Sequence, residues 1–229
     1  CAEHEFSIAG IESPGANPFD PLESLDHIVE LKNKCDYVIV IYHGGKEHYR
    51  YPSPYLQKVC RKMIDKGADI VICQHSHTIG AFEDYNQGII VYGQGNFIFN
   101  RPKNEHWDNG LLIKIDFRET MKIEYFPFVR TATGIKKANK KENKKILDGF
   151  YNRSRDILEE GFVEKKYRRF AKENVYGYLR AVSQQGTWLS KIDRKILKNT
   201  LIKKTYTKKK LLAIRNYIEC EAHRELFLK

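Results

Sequence analysis

The chain has 229 residues, 41% hydrophobic and 30% charged, with a formal net charge of +11. That composition suits a core-forming globular chain and excludes a disordered tail. No apolar run approaches the roughly 18 residues of a membrane span, and five scattered cysteines do not make a disulfide framework. The thiols favour a reducing, cytoplasmic compartment; a membrane-associated or extracytoplasmic location is the alternative if an N-terminal signal is missing.

In chain order, Glu3 to Ile8 reads as a short strand and Gly10 to Pro18 as a loop. Asp20-Pro21-Leu22-Glu23 has the form of a capping box with proline at the first helical position. The helix it opens runs through Leu25, Ile28, Val29 and Leu31 to about Lys34. Tyr37 to Ile41 is a continuous β-branched run, as expected for a strand buried on both faces of a parallel sheet. His43-Gly44-Gly45 ends that strand, and Glu47 to Pro52 follows as a lip. In this lip Glu47 and His48 are the candidate catalytic groups, Glu47 as a carboxylate that orients a ligand histidine and His48 as a proton donor. Arg50 is the candidate holder of an anionic substrate group.

Ser53-Pro54 marks the start of a second helix, whose apolar stripe is Leu56, Val59, Cys60 and Met63. Gly67 stands where it would end, and Ile70 to Cys73 is a second buried strand. Helix, strand, helix, strand is an α/β order, and the βαβ unit makes the two strands parallel. Their C-terminal ends therefore share one edge of the sheet, the edge where open α/β sheets place their sites. His43 ends one strand, and His75 and His77 follow the other. At i and i+2, two side chains share a face only in extended backbone. Three imidazoles on one edge suit a divalent transition metal such as zinc, manganese or iron.

Ile79 to Tyr85 and Ile89 to Tyr92 form a predicted hairpin about Asn86-Gln87-Gly88. Gly93, Gly95 and Asn96 make a tight turn suited to close approach of a ligand, which makes Asn96 a candidate substrate-binding residue. Leu111 to Phe117 and Met121 to Phe128 form a second hairpin. From about Lys136 the pattern becomes helical. Its stripes, among them Trp188, Leu189, Ile192, Ile196 and Leu197, are expected to be core.

The charge is unevenly spread: residues 1–100 hold 8 Lys+Arg and 13 Asp+Glu, and the remainder carries the positive excess. This shift divides the chain into an α/β domain, 1–135, and a basic helical region, 136–229. The basic runs read first as solvated helix faces, with a polyanion-binding face, for an acidic polymer, anionic lipid or nucleic acid, as the sharper alternative; no nucleic-acid motif accompanies them.

His43-Gly44-Gly45-Lys46-Glu47, Gly67-Ala68-Asp69-Ile70-Val71-Ile72, Gln74-His75-Ser76-His77 and Tyr92-Gly93-Gln94-Gly95-Asn96-Phe97 together resemble successive motifs of the CapA-type poly-γ-glutamate capsule synthesis proteins, which are related to the calcineurin-like metallophosphoesterases. The resemblance covers roughly the first 130 residues. It implies the C-terminal portion of a metallophosphoesterase-like αββα sandwich, with His75 and His77 matching a Gly-His-x-His ligand pair and His43 an earlier ligand. Gln74 stands in place of the usual glycine. The family's remaining ligands, aspartates and an Asn-His motif, have no counterpart before His43. The resemblance therefore implies about half of a dinuclear site, with a missing N-terminal segment or chain as the partner that completes it. Two functions follow as expectations. One is a metal-dependent hydrolase acting on phosphoesters or in capsule polymer synthesis; the other is a non-catalytic polyanion- or partner-binding protein with a structural metal. A mononuclear three-histidine zinc site is a third.

Overall fold

The computed structural model describes residues 1–3, 8–98, 106–183 and 186–227. The strand expected over 3–8 falls on residues 4–7, outside the described residues. The chain is α/β, and it forms two compact units, Cys1–Tyr167 and Arg168–Lys229.

In the first unit β1 (Ile39–Tyr42), α2 (Pro54–Asp65) and β2 (Ile70–Cys73) make the expected βαβ unit. β1 and β2 pair in parallel, Ile39 opposite Ile70 and Tyr42 opposite Cys73. The hairpin of β3 (Phe82–Tyr85) and β4 (Gly88–Val91) completes a sheet of order β1-β2-β4-β3, with β4 parallel to β2. Asn86 and Gln87 both have positive φ, 44° and 66°, the backbone that a tight hairpin turn requires. β5 (Asn109–Asp116), β6 (Lys122–Arg130) and β7 (Ile135–Lys137) form a separate antiparallel sheet.

Alternation along the strands builds the layers. Val71, Cys73 and Ile90 face Leu56, Cys60 and Met63 of α2 in one apolar cluster. Ile89 and Val91 point the other way, into a second cluster with Leu111, Ile113 and Tyr125 of the second sheet. α3 (Lys140–Asp156) joins that cluster through Ile146, Leu147 and Phe150. Full burial of such side chains contributes about 1.5–3 kcal/mol each. On the α2 side, Glu83 is buried but fully partnered. It accepts hydrogen bonds from Arg61 Nε (2.8 Å), Tyr92 Oη (2.7 Å) and Gln57 Nε2 (3.3 Å).

Several expectations are corrected. β1 is not buried on both faces. At the end of the described strand order it buries Tyr42 and half-buries Val40 against the α2 layer, while Ile39 and Ile41 remain 39% and 46% exposed. Residues 1–3 lie parallel to its end: the Cys1 amine donates to Ile41 O (2.8 Å) and Glu3 N to His43 O (3.1 Å). The first helix, α1 (Ser24–Lys32), starts later than Asp20. Asp20 Oδ1 instead accepts from Leu22 N (2.7 Å), which holds Pro21 to Glu23 in a turn. Helix does not begin at Lys136 either. Ile135–Lys137 pairs with β6, and α3 opens only after Asn139, whose side chain forms a capping box with Glu142. α3 packs into the first unit, so the packing boundary at Tyr167 lies beyond the compositional shift near residue 135.

The second unit holds most of α4 (Phe162–Ser183), then α5 (Thr187–Lys195), α6 (Thr200–Thr205), α7 (Lys208–Glu219) and α8 (Glu221–Phe227). Ile202 and Asp193 are fully buried in it. Asp193 accepts from the backbone N–H groups of Leu201 (2.8 Å) and Ile202 (3.3 Å) at the start of α6. The stripe expected to be core is not: Trp188 is 79% and Ile196 71% exposed. Helical periodicity marks a face but does not supply the surface that covers it.

Candidate functional site: a histidine edge

The parallel register brings the ends of β1 and β2 side by side, and Gln74 N donates to Tyr42 O (3.1 Å) just beyond the last pair. Glu3 Oε1 accepts from Gly45 N (3.2 Å) and from Tyr42 Oη (3.3 Å), which fixes the turn after His43. Burial, followed by the Glu3 charge, drives the Tyr42 phenol far above its usual range.

His43 and His75 meet directly. His43 Nε2 and His75 Nδ1 are 2.9 Å apart, so one ring donates and the other accepts. His77 stands next to this pair, its ring centroid 5.9 Å from that of His75. Its Nδ1–H donates to Asn96 Oδ1 (2.8 Å), and Asn96 Nδ2 donates back to His77 O (3.3 Å). His77 Nε2 then lies 4.0 Å from Glu47 Oε1, beyond hydrogen-bond reach.

Two histidines here have left-handed backbones, His48 (φ 58°) and His77 (φ 55°). His48 N donates to Ser76 O (2.9 Å), which pins the lip to the second histidine loop. Trp107 stacks on His77 at 4.9 Å and meets the His48 ring at 5.2 Å. The Asn96 turn depends on glycine. A Cβ at Gly93 would lie 2.6 Å from Ser76 Oγ and Thr78 O, and one at Gly95 (φ 81°) would lie 2.8 Å from Asn109 O.

All seven expected residues lie in the first unit, and six fall into contact groups. His43 pairs with His75. His77 bonds Asn96, lies 4.0 Å from Glu47 and shares Trp107 with His48. Arg50 instead lines a neighbouring cavity together with His106. Asn96, expected at the substrate, is 6% exposed with both ends of its amide on His77. Sequence reasoning missed Trp107, His106 and Glu3. Trp107 and His106 follow a stretch without periodicity, and only an aromatic residue beside a histidine just before a strand marked them.

The fit to a metal divides the same way. With metal–nitrogen bonds of about 2.1 Å, two ligands at a right angle stand about 3.0 Å apart. The His43–His75 separation matches that bite. Among the described residues no three His, Cys, Asp or Glu side chains converge as a complete ligand set. As two ligands of a shell the pair would first give up the proton it shares, and the Asn96 bond occupies Nδ1 of His77, not Nε2.

An α/β fold with this histidine edge is the arrangement carried by residues 3–101, which match the family described as bacterial capsule synthesis protein PGA_cap. Over that α/β segment the chain resembles CapA-type proteins. It is similar to the capsule biosynthesis protein CapA of Bacillus anthracis, 36% identical over 110 residues, 46% of this chain and 27% of that protein. It is also similar to the PGA biosynthesis protein CapA of Bacillus subtilis (strain 168), 35% identical over 100 residues, 44% of this chain and 26% of that protein. The aligned stretch is thus about a quarter of the length of these curated relatives.

Proposed function

We propose that the histidine edge binds a divalent transition metal, manganese, iron or zinc, and that the α/β unit is the metal-bearing part of a hydrolase acting in capsule or poly-γ-glutamate synthesis. The observation that carries this reading is the His43–His75 contact of 2.9 Å at adjacent parallel strand ends. The names of the relatives support the biosynthetic setting. His43 and His75 would hold the ion, with His77 Nε2 presented beside them through its Nδ1–H bond to Asn96. Such an ion lowers the pKa of a water and stabilises developing negative charge. His48, exposed on the lip and held edge-on by Trp107, would move a proton to a leaving group. Glu47, also exposed, is the carboxylate beside His77. Further ligands would complete the shell around this histidine set.

The test is metal content of the purified chain after loading with Mn, Fe or Zn, with His75→Ala alongside. About one ion per chain, lost in the variant, is the expected result. An equal metal content in both proteins, or none in either, would overturn the reading.

A second reading is favoured by the charge distribution. Residues 168–229 hold 16 Lys+Arg and 5 Asp+Glu, a net +11, whereas residues 1–167 hold 24 of each. The whole net charge thus resides in the helical unit. This suits binding of an acidic polymer by that unit, independent of any chemistry at the histidines.

A further inference from the structure

Beside the histidine edge lies a cavity of about 340 Å³. Arg50 of the lip forms one side, and α3 contributes Lys145 and Arg153. Ile79, Val129 and Ile146 supply an apolar wall. The helix lies outside the residues that match the family.

We infer that this cavity is a subsite for a carboxylate carried on a short aliphatic body, with Arg50, Lys145 and Arg153 receiving the charge. The inference rests on the histidine edge as the reacting centre and names the class of substrate presented to it.

Among the described residues, three cations and one carboxylate line the cavity, and that carboxylate, Glu142, is engaged at the start of α3, where it accepts from Asn139 N (2.8 Å). Arg153 is held in place by neutral partners. Its Nε donates to Gly80 O (2.8 Å) and its Nη2 to Ile79 O (3.0 Å). Burial, and then the neighbouring Arg50 charge, pull its pKa down to about 10. An anion between the two guanidinium groups would relieve that repulsion. Size and lining separate a carboxylate on a chain from a bare oxyanion. At about 30 Å³ of liquid volume per water, the cavity has room for on the order of ten waters. Its apolar wall would face methylene groups, and guanidinium groups match carboxylate geometry.

Calorimetry on the metal-free chain tests this directly, with glutarate, glutaramide and inorganic phosphate as probes. Saturable glutarate binding, at least tenfold tighter than glutaramide or phosphate, is expected. Lys145→Met and Arg50→Met should each weaken it at least tenfold, while Lys144→Met, whose lysine pairs with Asp148, should not. Lys145 is exposed on α3, so its variant is expected to keep the wild-type melting temperature even if Arg50→Met does not. Absence of saturable binding, equal binding by Lys145→Met, or tighter binding of phosphate would each overturn the inference. Metal content, read separately on the same proteins, reports on the histidine edge alone.

Discussion

His77 shows how much depends on its neighbours. Its Nδ1–H is committed to Asn96, its ring is stacked by Trp107, and its backbone is left-handed. Asn96→Ala removes the orienting acceptor without touching the histidines. If the edge holds metal through His77, the variant should bind it about 10–100-fold more weakly, as for other outer-shell partners of ligand histidines. Competition against a chromogenic chelator measures this; unchanged affinity would remove His77 from the ligand set. At this scale the sequence was informative where residues are fixed by strand topology and silent where they arrive from a distant loop. His43, His75 and His77 sit at strand ends, so parallel pairing alone predicts a shared edge. Trp107 reaches the same place across residues that carry no periodic signal, and Asn96 faces inward because of glycines whose close contacts appear only in three dimensions.

Among the elements, α3 joins the two sheets. Its Phe150 ring meets Phe82 of β3 at a tilt (5.3 Å) and Tyr125 of β6 edge-on (4.8 Å). Ser154 accepts a hydrogen bond from Phe82 N (2.9 Å) and donates to Phe150 O (2.9 Å). Ser154→Ala leaves the Phe82 N–H without that acceptor and should lower stability by about 1–3 kcal/mol. Urea unfolding followed by circular dichroism would show it as a shifted midpoint at unchanged slope. Elements with strong local grammar were legible: the Ser53-Pro54 cap of α2 and the Asn86-Gln87-Gly88 turn both formed as expected. Those decided by neighbours were not. The apolar run of β1 was compatible with full burial, but its place at the end of the described strand order leaves Ile39 and Ile41 exposed. Lys136 and Lys137 resembled the start of a helix, but they pair with β6 as part of β7.

At the scale of the whole molecule the two units differ in kind. The α/β unit is electrically balanced, and the helical unit carries the entire net charge of +11. No described helix is long and apolar enough to cross a membrane. If the helical unit binds an acidic polymer, affinity for poly-glutamate should fall steeply as salt rises from 0.15 M to 0.5 M, where the Debye length shrinks from about 8 Å to about 4 Å. A fluorescence titration at the two salt concentrations checks this; salt-independent binding would rule out the electrostatic mode. The same division changes what a bulk property means. The isoelectric point of about 9.3 belongs to the intact chain. Cleaved apart near residue 167, the units would part on a cation exchanger at neutral pH, the α/β piece passing through and the helical piece retained. The value measured on the whole chain would describe neither piece.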